Sequence, residues 1–307
     1  MTVESVNSSG VDMTWFQKLF TLPEDGQDLY RFLKPVIVGG LGVFLVWKMF
    51  NRRKWKHRQE WDSVGKDVVL LHQFVRGKYC PNLSPFALKV ETFLRLANIK
   101  YEVDTKTPIG PKGKCPWISI NGDDLADSEF VIDDLSSRFG VSLDRHLDTQ
   151  RAAVLEAVRI MADDHLFWCV VAWRYWLDKC HTFLTTQKLG TVTTFMFPRF
   201  MVSGMKKKAQ LQGIGHHTPH EIYLICRKSC ATLAGVLGSD DFFGGSDPCR
   251  ADCAVFGQLT QLMWNAPGTR YEQLVTDVYP NLARYCLRMK ERVYPDWTQL
   301  LINHTQQ

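Results

Sequence analysis

Outside one short segment, the sequence has no excess of charge of either sign. The chain of 307 residues contains 37 lysines and arginines against 32 aspartates and glutamates, a formal net charge of +5. A nucleic-acid-binding protein carries its positive charge over the folded domain, interleaved with aromatic residues. The near-neutral remainder therefore argues against a nucleic acid as partner. The five residues that account for the whole excess are Arg52, Arg53, Lys54, Lys56 and Arg58.

The sequence also lacks the cysteine pattern of a secreted protein. Its nine cysteines are an odd number, widely spaced, and the first 30 residues contain no secretory signal. Both features predict free thiols in a reducing compartment. With 45% hydrophobic and 22% charged residues, the composition is that of a globular protein and excludes a disordered chain or a bundle of membrane helices.

Long uncharged apolar runs are scarce as well. The one candidate, residues 35–47, has 13 residues, and it extends to 19 residues at 32–50 when Lys34 and Lys48 are included. A bilayer core needs about 20 helical residues, and lysines near the ends of a span can extend to the headgroups. We therefore expect 32–50 to be one transmembrane helix in contact with the lipid bilayer. A buried or monotopic helical hairpin is the alternative.

The charges on the two sides of this segment predict its orientation. Acidic residues dominate positions 1–31, whereas the basic cluster directly follows the segment. By the positive-inside rule, we expect a single-pass protein whose C-terminal part is cytoplasmic. Which membrane it enters stays open.

From residue 67 onwards, the pattern of apolar residues predicts strands and helices in the order βαβ and then ββα. One helix begins at Pro85, which Ser84 precedes as N-cap, and a second extends from Ser128 to Phe139. An Asn121-Gly122 turn predicts a hairpin between the last two strands. Residues 149–300 read as helices, of which the first is long, 151–177, and apolar on more than one face. The predicted strands lie at 68–74, 99–103, 114–120 and near Leu125.

Three motifs follow one another along this part of the chain. They are Ser84-Pro85-Phe86 with Lys89 five residues after the serine, Cys115-Pro116 at the third strand, and Asp127-Ser128 at the second helix. In order and spacing they resemble the thioredoxin-like N-terminal domain of the serine-type glutathione transferases. The resemblance implies a cis bond between Cys115 and Pro116. It also implies glutathione as a ligand, bound by Lys89, Cys115, Pro116, Asp127 and Ser128, with the γ-glutamyl carboxylate at Asp127-Ser128.

The helical half resembles the same family. Thr218, Pro219 and Glu221 form a capping-box motif, and Cys249 with Asp252 stands where transferases have a Ser or Thr cap followed by Asp. Several phrases, among them LSPFALKVETFLRLA (83–97), GKCPWI (113–118) and VFGQLTQLMWNAPGTR (255–270), resemble the failed axon connections family. That family is transferase-like and related to the metaxins, and its members carry an N-terminal hydrophobic segment. The resemblance implies a role in axon development.

Ser84 is the first candidate for a catalytic residue. A hydroxyl at a helix N-terminus can stabilise a bound thiolate, but an N-cap alone explains a serine before Pro85 equally well. Cys80 is the second candidate, through mixed disulfides. Its spacing from Ser84 is one residue too long for a C-x-x-S redox motif, which argues against that role.

Other residues with metal-binding or membrane-binding chemistry have simpler explanations. Cys226 with Cys230, and Cys249 with Cys253, have the spacing of two thiols on one buried helix face, so we predict core packing and no metal. The histidines at 216, 217 and 220 are expected to be solvated. The segment 195–208, apolar and then basic, suits an amphipathic helix better than a second membrane contact.

Two functions are compatible with these patterns. The first is a non-catalytic, membrane-anchored module that binds a protein partner, a second copy of the chain or a small thiol. The second is a glutathione-dependent transferase that uses Ser84 to activate the thiol. The expected organisation is an N-terminal tail (1–31), the transmembrane helix (32–50), a basic linker (51–66), a thioredoxin-like α/β domain (67–144), an all-α domain (145–300) and a tail (301–307).

Overall fold

The computed structural model describes residues 58–181, 184 and 191–301, with side chains in the last range from residue 202 onwards. The predicted transmembrane segment, 32–50, lies outside these residues. Among the described residues, no helix combines the length and the apolar character that crossing a bilayer requires. The chain divides into two compact units, 1–61 and 62–307, and every strand and helix named below belongs to the second.

Four short strands form one mixed sheet in the order β2-β1-β3-β4. β1 pairs in parallel with β2 and antiparallel with β3, and β3 pairs antiparallel with β4. This arrangement confirms the predicted thioredoxin-like order of elements. The strands are β1 (Val69–His72), β2 (Tyr101–Asp104), β3 (Trp117–Ile120) and β4 (Asp123–Ala126).

The turn between β3 and β4 is the predicted hairpin. Asn121 has a φ of 49° and Gly122 a φ of 92°. A two-residue turn with positive φ at both positions has the twist that antiparallel strands require. The Asn-Gly pair therefore fixes the register of β3 against β4.

One face of the sheet packs against two helices, α1 (Pro85–Leu96) and α2 (Ser128–Phe139). Alternate residues of β1 and β3, including Leu71 and Ile118, point to this face and share one core with both helices. α2 has the predicted bounds. The helices contribute apolar side chains to this core, among them Val90 and Phe93 from α1 and Val131, Ile132 and Leu135 from α2.

The opposite face of the sheet carries a row of hydrogen-bonded polar side chains, one from each strand. Asp104 Oδ2 lies 2.7 Å from His72 Nδ1, and His72 Nε2 lies 3.0 Å from Ser119 Oγ. Ser119 Oγ donates to Asp124 Oδ1 at 2.8 Å. The His72 ring is stacked on that of Trp117, with centroids 3.6 Å apart. The row thus supplies partners to polar groups that burial would otherwise penalise.

The rest of the described chain is helical, as predicted. α7 is the central buried helix, since it packs against α1 and nearly all of its residues are buried. The helical part also contains a 3₁₀ turn (Ile214–His216) and a π segment (Leu274–Val278). The α-helices are α3 (Thr149–Ile160), α4 (Phe167–Val171), α5 (Thr191–Gln212), α6 (Pro219–Leu237), α7 (Arg250–Met263), α8 (Arg270–Gln273), α9 (Pro280–Val293) and α10 (Trp297–Leu300).

A long helix, 149–177, corresponds to the helix that the sequence predicts at 151–177. It consists of α3, a first π segment (Met161–Leu166), α4 and a second π segment (Ala172–Leu177). A π turn contains more residues than an α turn, so it rotates the side chains that follow it, and such turns are frequent at functional sites. The sequence pattern did not predict the two π segments.

α7 and α1 approach each other at a glycine. A Cβ on Gly257 would lie 2.4 Å from the carbonyl oxygen of Pro85, closer than van der Waals contact permits. A residue without a side chain is therefore needed at position 257. The contact holds the helical half against the first turn of α1.

The N-terminus of α7 is capped by an aspartate that lies inside the helix. Asp252 accepts hydrogen bonds from three backbone N–H groups, those of Cys249 (2.8 Å), Phe243 (2.9 Å) and Gly244 (3.1 Å). Asp252 is fully buried.

The four cysteines predicted to pack in the core are buried. Cys226, Cys230 and Cys249 lie in the helical core, and Cys253 lies in the core of the sheet.

Candidate functional site

Ser84 is the N-cap of α1. Its Oγ accepts a hydrogen bond from the N–H of Ala87 at 3.3 Å and donates to the carbonyl oxygen of Cys115 at 3.5 Å. Its own N–H donates to Asn82 Oδ1 at 2.9 Å. Ser84 is 8% exposed. The hydroxyl is therefore engaged in capping and lies at the edge of the Cys115-Pro116 segment.

The loop before Ser84 is held by the helical half of the molecule. Arg174, in the second π segment, donates to the carbonyl oxygen of Leu83 at 2.9 Å and to Gln261 Oε1 at 2.7 Å. Gln261, on α7, donates in turn to the carbonyl oxygen of Asn82 at 3.3 Å. All of these groups are buried, so the position of the Ser84 hydroxyl depends on residues from both halves.

The bond between Cys115 and Pro116 is cis, which confirms the expectation from the resemblance. The Cys115 side chain is partly buried and lies beside Ser84 and Phe74. Burial raises the pKa of its thiol to about 12, although hydrogen bonds from the Phe74 backbone and the Ser84 side chain act in the opposite direction. At neutral pH, Cys115 is thus a thiol and not a thiolate.

Cys80 lies in the core of the helical half and is fully buried. Burial raises the pKa of this thiol to about 12 as well. A buried, protonated thiol is a poor nucleophile. This environment argues against mixed disulfides at Cys80.

Lys89, expected to contact glutathione, is bound by two carboxylates of the protein itself. Its Nζ lies 2.5 Å from Asp163 Oδ2 and forms an ion pair with Glu129 Oε2. Lys89 is 1% exposed, although charged lysine side chains usually lie at the protein surface. A buried ammonium needs such partners, because desolvating an unpaired charge costs several kcal/mol.

Glu129, the second residue of α2, is bound by three cations. Besides Lys89, Arg159 Nη1 lies 3.2 Å from Glu129 Oε2, and Arg250 Nη2 forms an ion pair with Oε1. Arg159 also contacts Asp163 at 3.1 Å. The seven residues of this arrangement, called here the charge cluster, are Lys89, Glu129, Asp133, Glu156, Arg159, Asp163 and Arg250.

The charge cluster is net negative, since three cations face four carboxylates. Burial raises the pKa of Asp163, although Lys89 and Arg159 oppose that effect. Hydrogen bonds from Arg159 lower the pKa of Glu156. A further carboxylate entering the cluster would therefore meet unfavourable electrostatics unless one of the protein's own carboxylates left.

The predicted glutamyl-binding pair, Asp127 and Ser128, begins the same helix as Glu129. Asp127 has a φ of 92°, a strained conformation for a residue with a side chain, and its Oδ1 accepts from the N–H of Glu129 at 3.1 Å. Ser128 is buried at the first position of α2. The structure thus brings Lys89 to the turn that contains Asp127 and Ser128, with Glu129 between them.

The sequence did not identify four residues of the charge cluster as members of the candidate site: Glu129, Arg159, Asp163 and Arg250. The sequence contained a signal, because Arg159 and Asp163 stand four residues apart on a helix that was expected to be apolar on more than one face. Charged residues on a buried helix face need partners elsewhere in the fold. Which partners they meet depends on how α1, α2 and α7 pack.

Family models of glutathione S-transferases match both halves of the chain. The glutathione S-transferase N-terminal domain matches residues 85–181, and the C-terminal domain matches residues 226–289. A crystal structure of a beta-etherase from Sphingobium sp. strain SYK-6 has the same fold, with a TM-score of 0.53 and 18% identity over 76% of this chain and 98% of that one.

Curated relatives extend this comparison. The chain is 34% identical to Failed axon connections of Drosophila melanogaster over 76% of its own length, and it spans 60% of that protein. It is 23% identical to the isoprene-epoxide–glutathione S-transferase of Rhodococcus sp. (strain AD45), over 73% of this chain and 99% of that one. It is 22% identical to Metaxin-2 of Mus musculus, over 69% of this chain and 82% of that one. The chain belongs to the failed axon connections family of glutathione-transferase-like, metaxin-related proteins.

Proposed function

We propose that this protein is a membrane-anchored, non-catalytic binding module with a role in axon development. The observation that carries the proposal is the ion pair between Lys89 and Glu129. It fills, with the protein's own charges, the helix start at which a transferase is expected to bind the γ-glutamyl carboxylate. The name of the 34% identical relative, Failed axon connections, supports the developmental role.

The alternative is a glutathione-dependent transferase. Ser84 at the N-terminus of α1, beside a cis Cys115-Pro116 bond, is the specific observation in its favour. In that case the Ser84 hydroxyl would donate a hydrogen bond to the glutathione thiolate. A relative named as an isoprene-epoxide–glutathione S-transferase keeps the alternative open.

Conjugation of glutathione to a generic aromatic electrophile separates the two functions. For the full-length protein in detergent micelles, we expect no turnover above the uncatalysed rate. The transferase alternative predicts turnover that Ser84→Ala lowers at least tenfold, because a charge-assisted hydrogen bond contributes about 1.5–3 kcal/mol. Such turnover, lost in the Ser84 variant but retained in a Thr218→Ala control, would overturn the non-catalytic proposal.

Membrane anchoring through 32–50 needs its own test. We expect alkaline carbonate extraction of cells to leave the full chain in the membrane pellet and to release a chain that starts at Gln59. Release of both chains would contradict a transmembrane segment. The cytoplasmic orientation predicts that a protease leaves the C-terminal part uncut in intact cells and cuts it once the plasma membrane alone has been permeabilised.

A protein partner, or a second copy of the chain, needs an accessible surface. Phe130, on α2, is 60% exposed, and Lys112 Nζ lies 4.7 Å from its ring centroid. A large exposed ring is typical of residues that become buried on association. We expect Phe130→Asp to weaken self-association or partner binding, as measured by sedimentation, without changing the melting temperature.

A further inference from the structure

A row of four polar side chains, called here the His72 row, crosses the whole sheet. In the order of the strands, its members are Asp104, His72, Ser119 and Asp124. His72 is fully buried near the centre of the row. Burial by itself favours the neutral form of a histidine, so the hydrogen bonds of its two ring nitrogens decide whether this ring is charged.

These hydrogen bonds require a proton on each ring nitrogen. Nδ1 of His72 lies 2.7 Å from the carboxylate oxygen Asp104 Oδ2, an acceptor, so Nδ1 donates. The single hydroxyl proton of Ser119 goes to Asp124 Oδ1 at 2.8 Å, so Ser119 Oγ accepts from His72 Nε2 at 3.0 Å. The opposite assignment would leave Ser119 Oγ and Asp124 Oδ1 facing each other as two acceptors. With both nitrogens donating, the ring is an imidazolium.

The surroundings of the ring favour its positive charge. Trp117 stacks on His72 with centroids 3.6 Å apart and planes within 7°, an arrangement in which an aromatic face attracts a cation. Among the residues that the structure describes, the charged side chains that β2 and β4 place on this face are all carboxylates, and the lysines of the loop after β2 are exposed. These carboxylates are Glu102, Asp104 and Asp124, and these lysines are Lys106, Lys112 and Lys114.

The same row holds the loop 105–116, which connects β2 to β3. Asp104 accepts from the N–H of Lys106 at 2.9 Å and from the N–H of Thr107 at 3.2 Å. Burial alone would raise the pKa of Asp104, but hydrogen bonds from the Lys106 N–H and from His72 lower it. The indole N–H of Trp117 donates to the carbonyl oxygen of Thr107 at 2.8 Å. Both groups that bind the start of the loop, Asp104 and Trp117, are thus in contact with the His72 ring.

The far end of this loop is part of the candidate site. Gly110 packs on Trp117 so closely that a Cβ there would lie 2.5 Å from the indole Cγ, and its N–H donates to the carbonyl oxygen of Lys114 at 3.0 Å. The next residue is Cys115, whose carbonyl oxygen accepts from Ser84 Oγ at 3.5 Å. A movement of the loop would therefore displace the backbone that contacts the Ser84 hydroxyl.

We propose that His72 is a buried imidazolium that holds the loop 105–116 in place, and that loss of its proton releases the loop and alters the Ser84 end of the candidate site. Without one of its protons, the ring would set a nitrogen lone pair against Asp104 or against Ser119 Oγ, and a buried pair of acceptors is unfavourable. Because the held loop requires the bound proton, the loop is held below the pH at which His72 deprotonates and is released above it. This device requires neither catalysis nor a membrane.

The ¹⁵N chemical shifts of histidine rings distinguish an imidazolium from a neutral ring. For full-length protein in detergent, the His72 signal is identified by its contact with the Trp117 ring. We expect His72 to be doubly protonated at about pH 7.5, at which exposed histidines are mostly neutral. A neutral His72 ring at that pH would overturn the proposal.

Hydrogen–deuterium exchange of the peptide that spans 105–116 measures release of the loop. At about pH 7, we expect His72→Gln to speed exchange in this loop roughly tenfold or more and to leave α2 unchanged. Thr92→Val is the matched control, because Thr92 is a buried residue of the same domain whose hydroxyl lies 3.0 Å from that of Tyr294. Unchanged exchange of the loop in His72→Gln, the same acceleration in Thr92→Val, or equal acceleration in α2 would contradict the proposal.

A second variant keeps the test decisive if His72→Gln does not fold. Asp124→Asn changes an exposed residue, which keeps an acceptor for Ser119 but loses its negative charge. With exchange corrected for its intrinsic dependence on pH, this variant should lower, by equal amounts, the pH at which the ring loses its charge and the pH at which the loop loses protection. An unchanged value of either pH, or loop protection that does not follow the charge of the ring, would overturn the proposal.

Discussion

The N-termini of α1 and α2 are the two helix starts that the resemblance assigns to the two ends of glutathione, and they differ in charge. At α1, Ser84 caps the helix with a hydroxyl, and the first turn contains no acidic residue. At α2, the first turn contains Glu129, which three cations bind. The thiol end of the expected site is therefore neutral, whereas the glutamyl end is filled with the protein's own ions.

The two ends of the expected site therefore differ in the kind of group that forms them. The α1 end is formed by the Ser84 cap and by the backbone at Cys115 and Pro116. The α2 end depends on side-chain charges, which can be replaced without changing the backbone. A transferase-like fold with an intact thiol end is accordingly weak grounds for assigning transferase activity.

The greatest loss of stability is expected at Lys89, which is buried at the centre of the charge cluster. Lys89→Met leaves Asp163 and Glu129 short of a buried partner, so we expect the free energy of unfolding to fall by about 3–5 kcal/mol in urea denaturation. Arg138→Met is the control, because Arg138 pairs with Asp123 and Asp134 at the surface. That change should cost less than about 1 kcal/mol.

Equal losses in the Lys89 and Arg138 variants would contradict the comparison. They would mean that the charge at the α2 end contributes no more than a solvated ion pair.

The next largest loss of stability is expected on substitution at the contact between α7 and α1. Gly257→Ala would place a Cβ against the Pro85 carbonyl oxygen, so we expect a loss of about 1–3 kcal/mol in thermal or chemical unfolding. Gly235→Ala, at an exposed position of α6 with no atom within 4 Å of the added Cβ, is the matched control. It should be neutral or stabilising, since alanine favours helices. A harmless Gly257→Ala would show that the α1 end is less tightly packed than described.

The Ser84 cap is expected to have a smaller effect. Ser84→Ala removes the acceptor of the Ala87 N–H, and N-caps contribute about 1 kcal/mol. Thr218→Ala, at the capping box of α6, removes a comparable cap far from the candidate site and should cost about the same. A loss several times larger at Ser84 would indicate that its hydroxyl supports more of the structure than one helix turn.

The smallest expected effect is the contribution of Asp163 to the pH dependence of the free energy of unfolding. Its folded pKa is raised above the ordinary 3.8, so the native state retains a proton that the unfolded state releases. The stability that this group contributes is therefore present below that value and is lost as the pH rises through the folded pKa. As the pH falls from 7 towards 3.8, we expect acidification to stabilise the wild type relative to Asp163→Asn in urea denaturation. The opposite slope would mean that Lys89 and Arg159 outweigh burial.

The strands and caps of this fold follow from local sequence, and the prediction of them was largely correct. Residues 128–139 form a helix with the predicted bounds, because Asp127 caps its start and Gly140, with a positive φ, ends it. The third strand is shorter than predicted, since it begins at Trp117 and not at 114. The residues before it belong to a loop closed by the bond from the Trp117 indole to the Thr107 carbonyl.

The charge cluster and the His72 row could not be predicted, because their members lie far apart in the sequence. Lys89 and Asp163 are 74 positions apart, and Arg250 and Glu129 are 121 apart. Their contacts exist only after the long helix and α7 have packed against α1 and α2. Local patterns identify such residues as charged positions on buried faces, but the three-dimensional packing decides which of them pair.

Melting the full-length protein with and without glutathione tests the central claim most directly, namely that Glu129 keeps the glutamyl end of the site closed. A ligand present at 100 times its Kd stabilises the native state by about 2.7 kcal/mol, which corresponds to a rise in Tm of roughly 5–11 °C for a domain of this size. We expect no change in the Tm of the wild type at about 10 mM glutathione, a concentration that would be ~100 times a Kd of ~0.1 mM. A rise of several degrees would contradict it.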